Sequence, residues 1–212
     1  MIEVEQVIKY TKMLNFKNLS ALRSGNISVR YKNGFLITPS GVKYSQLETE
    51  DVVFVSLDGK FDSLKQRPSS EWRIHKDIYV NKKEANAVVH AHSTHATAVS
   101  AHGKSIPAFH YMVAVGGGRD IRCCEYAIFG SKDLADKVVE ALEGRMACLM
   151  ANHGLVCCGK ELDHAIFLAE ELEALCKQYL TARSIGGVKI LSDSEMELVI
   201  EKFKNYGSAT QK

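Results

Sequence analysis

Ala85-Asn86-Ala87-Val88-Val89-His90-Ala91-His92 is the stretch on which the fold turns. Ala87, Val88 and Val89 form an uninterrupted apolar run, so 87–92 reads as a buried strand, and Ala96 to Ala101 reads as a helix after it. Two histidines therefore sit at a strand-to-helix join. In a strand a spacing of two puts His90 and His92 on the same face, where both imidazoles can share one ion.

On the N-terminal side, Val4, Val7, Ile8 and Leu14 lie mostly on one side of a helical wheel, which predicts an amphipathic helix from Ile2 ending near Asn15. Ile27–Arg30 and Phe35–Thr38 are β-prone runs joined through Lys32-Asn33-Gly34, where Asn-Gly is expected to supply the positive φ angles of a tight hairpin. Asp51–Leu57 continues as a strand closed by Asp58-Gly59. Pro68 followed by Ser69, Ser70 and Glu71 predicts a serine-capped helix that starts at Ser69 or Ser70 and runs to about Val80.

On the C-terminal side, Ala147–Met150 and Leu155–Cys158 are apolar pieces flanking Ala151-Asn152-His153-Gly154, which places His153 on a bend between strands. Helices are expected at Ser131–Leu142, Leu162–Ser184 and Ser194–Lys204, with Ile185-Gly186-Gly187 ending the long one. There is no repeat, low-complexity tract or linker. Helices and strands mix without a regular βαβ cycle, so the pattern reads as an α/β fold with antiparallel content, one domain over 1–212.

The 212 residues are 46% hydrophobic and 25% charged, the balance of a globular chain rather than a disordered, collagen-like or coiled-coil one. The net charge of +2 comes from scattered basic residues, so neither a nucleic-acid nor an anionic-membrane surface is expected, and any bound anion should be small. No stretch approaches the roughly 20 apolar residues of a membrane span, and the start lacks signal-peptide order; the expected location is the cytoplasm. The six cysteines, Cys123, Cys124, Cys148, Cys157, Cys158 and Cys176, show no Cys-x-x-Cys spacing and read as reduced small hydrophobes.

Chemistry concentrates in a few residues. His153 could complete a three-histidine set with His90 and His92; imidazole suits zinc, with manganese, cobalt and iron left open. His95 reads either as a partner to these ligands or as the first residue of the next helix. Glu71 is the natural carboxylate, able to alternate between ligand and proton acceptor, unless it is merely a solvated residue of a helical first turn. Ser69 and Ser70 offer hydroxyls and free N–H groups at a helix start, and the loops Ser24-Gly25-Asn26 and Thr38-Pro39-Ser40-Gly41 could close around the same phosphate.

Several ordered stretches resemble the class II, metal-dependent aldolase/epimerase family, nearest its L-fuculose-1-phosphate aldolase branch. They are 25–31 (Gly-Asn-Ile-Ser-Val-Arg-Tyr), 36–41 (Leu-Ile-Thr-Pro-Ser-Gly), 68–73 (Pro-Ser-Ser-Glu-Trp-Arg), 85–92, 105–112 (Ser-Ile-Pro-Ala-Phe-His-Tyr-Met), 153–155 and 201–207. The resemblance runs over nearly the whole chain. It implies a three-layer α-β-α sandwich with a mainly antiparallel central sheet. It implies that His90, His92 and His153 bind a divalent ion, most simply Zn2+, with Glu71 as a displaceable fourth ligand and base. Asn26, Ser40, Gly41, Ser69 and Ser70 would surround a substrate phosphate, and Phe129 would stand at the aldehyde end. Tyr111 would reach into a neighbouring subunit of a homotetramer as a proton donor, and Tyr206 would close over the substrate.

The implied reaction is reversible cleavage of a ketose 1-phosphate, of the L-fuculose 1-phosphate type, to dihydroxyacetone phosphate and L-lactaldehyde. Other readings are a 5-deoxyribulose 1-phosphate or related salvage aldolase giving acetaldehyde, a pentulose-5-phosphate 4-epimerase, and a catalytically silent scaffold on the same fold. The chain departs from the family pattern at Arg23-Ser24 and at Asn152, which stands where a histidine precedes the ligand His153; these bear on substrate length and affinity more than on reaction type.

Overall fold

The computed structural model describes residues 2–20 and 24–205. Its helices are α1 (Ile2–Phe16), α2 (Trp72–Asn81), α3 (Thr94–Ser100), α4 (Lys132–Ala141), α5 (Leu162–Ser184) and α6 (Asp193–Asn205). Its strands are β1 (Asn26–Tyr31), β2 (Gly34–Ile37), β3 (Val53–Ser56), β4 (Ala87–Ala91), β5 (Cys123–Cys124), β6 (Ala147–Met150) and β7 (Gly154–Gly159). Among the described residues the strands form one sheet in the order β3-β2-β1-β4-β7-β6-β5. Every neighbouring pair is antiparallel except β5 with β6, so the sheet is mixed at one edge.

Alternate residues of each central strand go to opposite apolar layers, as a pleat requires. Val89, Leu155 and Cys157 pack with α1, α3, α5 and α6 on one face. Val88, Val156 and Cys158 pack with Ile74 and Ile78 of α2 and with Leu134 and Val138 of α4 on the other. The α-β-α sandwich expected from the resemblance is the fold observed. None of the described helices is long and apolar enough to cross a membrane. All six cysteines are free thiols, and burial pushes those of Cys148 and Cys157 well up, in keeping with their packing as small hydrophobes.

Three expectations need correction. In the hairpin, positive φ falls on Lys32 (50°), not on Asn33 or Gly34. Gly34 is required for another reason: a Cβ there would overlap the Val55 carbonyl of β3. The strand expected over 51–57 is shorter, because Glu48 and Asp51 cap a helical turn, Thr49–Asp51, ahead of β3. The helix expected from Ser69 or Ser70 starts only at Trp72, with Glu71 at the capping position. The chain before it is held against β2: Ser69 N donates to Thr38 O at 3.0 Å and Pro68 bridges to Pro39, so backbone at 68–69 cannot turn helical. Ser69 Oγ accepts instead from Glu71 N at 3.3 Å.

Serine caps do form at α4, where Ser131 Oγ accepts from Leu134 N at 3.0 Å, and at α6, where Ser192 Oγ accepts from Glu195 N at 3.3 Å. Ser131→Ala should lower unfolding free energy by about 1 kcal/mol, and Gly34→Ala by about 1–3 kcal/mol through overpacking. Urea unfolding followed by circular dichroism measures both.

Candidate metal centre

His90 lies in the centre of the sheet, paired with Asn26 of β1 on one side and Val156 of β7 on the other. His92 is one residue beyond the end of β4. His153 is one residue before β7, in a tight turn where Asn152 takes φ 55° and His153 N donates to Met150 O at 3.1 Å. The turn can lie against the end of β4 only because residue 154 is glycine: a Cβ there would overlap the Ala91 carbonyl and come within 3.1 Å of the His92 ring. Glu71, at the head of α2, reaches the same point from the adjacent layer.

These four side chains converge. His90 Nε2 lies 2.9 Å from His92 Nε2 and 3.0 Å from Glu71 Oε2, and His153 Nε2 lies 3.3 Å from Glu71 Oε1. One donor atom from each falls within 4.8 Å of all the others. A tetrahedral ion bonded at about 2.1 Å holds its ligands roughly 3.4 Å apart, so the spacing is that of a coordination polyhedron.

The chemistry of the donors fits a cation too. His90 Nδ1 donates to the Leu155 carbonyl at 2.8 Å, which leaves Nε2 as the atom that faces the cluster. Glu71 is 6% exposed, and its Oε1 has no hydrogen-bond partner among the described residues. Nitrogen lone pairs and carboxylate oxygens this close repel unless positive charge lies between them, either a proton on His90 or a divalent ion.

The titration behaviour follows from that crowding. Burial pushes the Glu71 carboxyl up, but the charge and hydrogen bond of His90, the charge of His153 and the Asn26 amide outweigh it and hold Glu71 well below the usual carboxylate range. Burial pulls His90 down, and Glu71 more than reverses this. Burial, then the charge of His90, brings His92 down to about 3 and His153 down to about 4. Glu71 is thus a buried, ionised carboxylate and not a solvated first-turn residue.

The cluster opens into a cavity of about 350 Å³, lined by Glu71, His92 and His153. Asn26, Ser40, Gly41, Ser69 and Ser70 also line it, as does Phe129. Fully buried His90 lies beneath. The Asn26 amide is already engaged, donating to Glu71 Oε2 at 3.1 Å and accepting from His75 Nε2. His95 belongs elsewhere: its ring Nδ1 and backbone N both bond the Glu173 carboxylate of α5. Tyr111 does not line this cavity. It stacks on Phe203 of α6 and lines a separate cavity with Phe167 and Leu168. Tyr206 and Arg23 lie outside the described residues. Sequence reading missed Tyr126 as a cavity residue and His75 behind Asn26, while Asn152, which it singled out beside His153, also lines the cavity. The spacing Glu71, His75, Tyr79 is a one-face helical stripe that could have pointed to His75.

Residues 5–180 match the family of the class II aldolase and adducin N-terminal domain. The chain belongs to the class II aldolase family. L-fuculose phosphate aldolase of Escherichia coli strain K12 is 48% identical over 185 residues, covering 87% of this chain and 86% of that protein. The 5-methylthioribulose-1-phosphate/5-deoxyribulose-1-phosphate aldolase of Rhodospirillum rubrum is 46% identical over 188 residues, covering 89% and 85%. A solved L-fuculose 1-phosphate aldolase superposes with a TM-score of 0.91 at 39% identity, covering 95% of this chain and 96% of the other. This aldolase is therefore a carbon–carbon lyase by family, with a carboxylate–histidine cluster that could hold a divalent ion.

Two outcomes follow for the metal. His92→Ala should abolish stoichiometric retention of a divalent ion in elemental analysis. Because His90 is raised while His92 and His153 are lowered, protons released when an ion binds the metal-free aldolase should come from His90, and the release should fall as pH rises, seen by calorimetry in buffers of different ionisation enthalpy.

Proposed function

We propose that this aldolase reversibly cleaves a ketose 1-phosphate of the L-fuculose 1-phosphate type to dihydroxyacetone phosphate and L-lactaldehyde. The observation that carries the reading is one cavity lined by serine-rich loops, by the carboxylate–imidazole cluster and by an aromatic wall. We assign His90, His92, His153 and Glu71 as ligands of a divalent ion, with Zn2+ preferred for its three imidazoles. When bound, that ion would act as a Lewis acid toward the oxygens flanking the bond that breaks.

The protein supplies the rest. Ser40, Gly41, Ser69, Ser70 and Asn26 form the phosphate cradle, with Ser69 and Ser70 next to the start of α2; they fix orientation without touching the reacting bond. In the condensation direction Glu71 removes a proton from the hydroxymethyl carbon of dihydroxyacetone phosphate, and that carbon's electron pair forms the new bond to the aldehyde carbon. Tyr111 of a neighbouring subunit protonates the resulting alkoxide, Tyr206 closes over the substrate, and Phe129 covers the aldehyde end. Cleavage is the reverse. No lysine lines the cavity among the described residues, so nothing there offers a Schiff-base amine. We read the whole chain 1–212 as one catalytic domain of a cytoplasmic homotetramer.

A second substrate is favoured by a specific observation. The relative at 46% identity is named for 5-methylthioribulose and 5-deoxyribulose 1-phosphates, only slightly less similar than the fuculose phosphate aldolase at 48%. The two substrates differ at the aldehyde end, to which we assign Tyr126, Phe129 and Asn152 of the cavity lining. Zinc-loaded protein should release dihydroxyacetone phosphate, read by a coupled dehydrogenase, from L-fuculose 1-phosphate. A preference above about tenfold in kcat/KM for 5-deoxyribulose 1-phosphate would make the second reading the correct one, and a product that stays a pentulose phosphate would mark an epimerase. Glu71→Gln and Tyr111→Phe chains, each inactive alone, should regain activity when unfolded together and reassembled; failure to do so, with tetramers formed, would place Tyr111 outside the reaction.

A further inference from the structure

Behind the Glu71 carboxylate runs a line of buried polar side chains. His75 and Ser28 are fully buried, Tyr79 is 1% exposed and Asn26 is 3% exposed. Tyr79 Oη lies 2.8 Å from Ser28 Oγ, and Ser28 Oγ lies 2.6 Å from His75 Nδ1. His75 Nε2 meets Asn26 Oδ1, and Asn26 Nδ2 lies 3.1 Å from Glu71 Oε2.

The direction of every proton in this line is forced from its end. An ionised carboxylate only accepts, so Asn26 must turn its NH2 toward Glu71 and its carbonyl toward His75. His75 Nε2 then carries hydrogen. Complete burial, reinforced by the charge of His90, pulls His75 down to about 3 and keeps it neutral, so Nδ1 is an acceptor. Ser28 donates to it, and Tyr79 donates to Ser28. A flipped Asn26 amide would set two acceptor oxygens against each other, and the Nε2–H of His75 is what prevents that flip.

We propose that His75 is a positioning residue for Glu71: the one-way chain Tyr79–Ser28–His75–Asn26 fixes the carboxylate, holds Oε2 as a permanent acceptor, and leaves Oε1 as the oxygen that takes and returns a proton. This rests on the assignment of Glu71 as the base. Oε2 takes the Asn26 amide and faces His90 Nε2 at 3.0 Å, whereas Oε1 takes no hydrogen bond among the described residues and faces His153 Nε2 at 3.3 Å.

The test compares two substitutions in the metal-loaded protein. His75→Asn keeps a polar group near Nδ1 for Ser28 but withdraws the donor from Asn26; His75→Gln reaches the Nε2 position and returns a donor to it. His75→Asn should lower kcat for ketose 1-phosphate cleavage about 10- to 100-fold with KM changed less than about threefold and metal content unchanged, while His75→Gln recovers most of kcat. Equal loss in both variants, or a loss carried by KM, would overturn the proposal. Nitrogen-15 NMR of histidine-labelled wild-type protein gives a readout independent of turnover. His75 should be the neutral Nε2–H tautomer from about pH 6 to pH 8, and an Nδ1–H tautomer would refute the chain even if the aldolase reaction stands. If no ketose 1-phosphate is cleaved, the reading of the reaction falls, and the tautomer alone decides whether the chain points at Glu71.

Discussion

The pairing of β1, β4 and β7 in one register is the constraint on which the site depends. Asn26 stands opposite His90, and His90 opposite Val156, so one row across the sheet carries the amide that bonds Glu71 and the innermost imidazole. Side chains alternate faces along a strand, so a slip of one residue in β4 would turn His90 toward α5 and away from α2. The apolar residues on either side of it hold that register. Val88 and Val89 can each be buried only in their own layer, and both layers are filled.

The site itself violates the rule that buried charge be fully paired. Glu71, His75 and His90 are buried, one carboxylate oxygen lacks a hydrogen-bond partner among the described residues, and three imidazoles face one another at ring separations of 4.7 to 4.9 Å. Such an arrangement is unfavourable by itself and persists because the surrounding sheet and helices over-determine it. The aliphatic layers provide rigidity, and the sheet end spends some of it on a preformed polar nest.

Much of this was legible in the sequence, for reasons that differ by residue. The strand carrying His90 announced itself because three consecutive apolar residues admit no solvated face, and the helix over Leu162–Ser184 was read to its ends. The strands flanking His153 were read correctly because apolar runs bracket a turn. The start of α2 was misread, since a proline–serine pair looks like a cap whether or not the backbone is held elsewhere, and only the tie from Ser69 to Thr38 moves the helix onset to Trp72. His75 was missed although it shares a helical stripe with Glu71 and Tyr79, because its meaning comes from Ser28 and Asn26, some 50 residues away. Tyr126 sits in the irregular stretch that follows β5, where spacing carries no information about which way a side chain leans.

Among the described strands the one parallel edge, β5, has an effect larger than its two residues. Because β5 runs alongside β6 in the same sense, the chain leaving Cys124 emerges at the same end of the sheet as the chain leaving Met150. One exit carries His153; the other carries Tyr126 and Phe129. Reversing that single edge strand would deliver the aromatic pair to the far rim of the molecule, leaving the polar nest without a wall. Strand polarity at the periphery thus puts the aromatic side of the cavity next to the turn that carries His153.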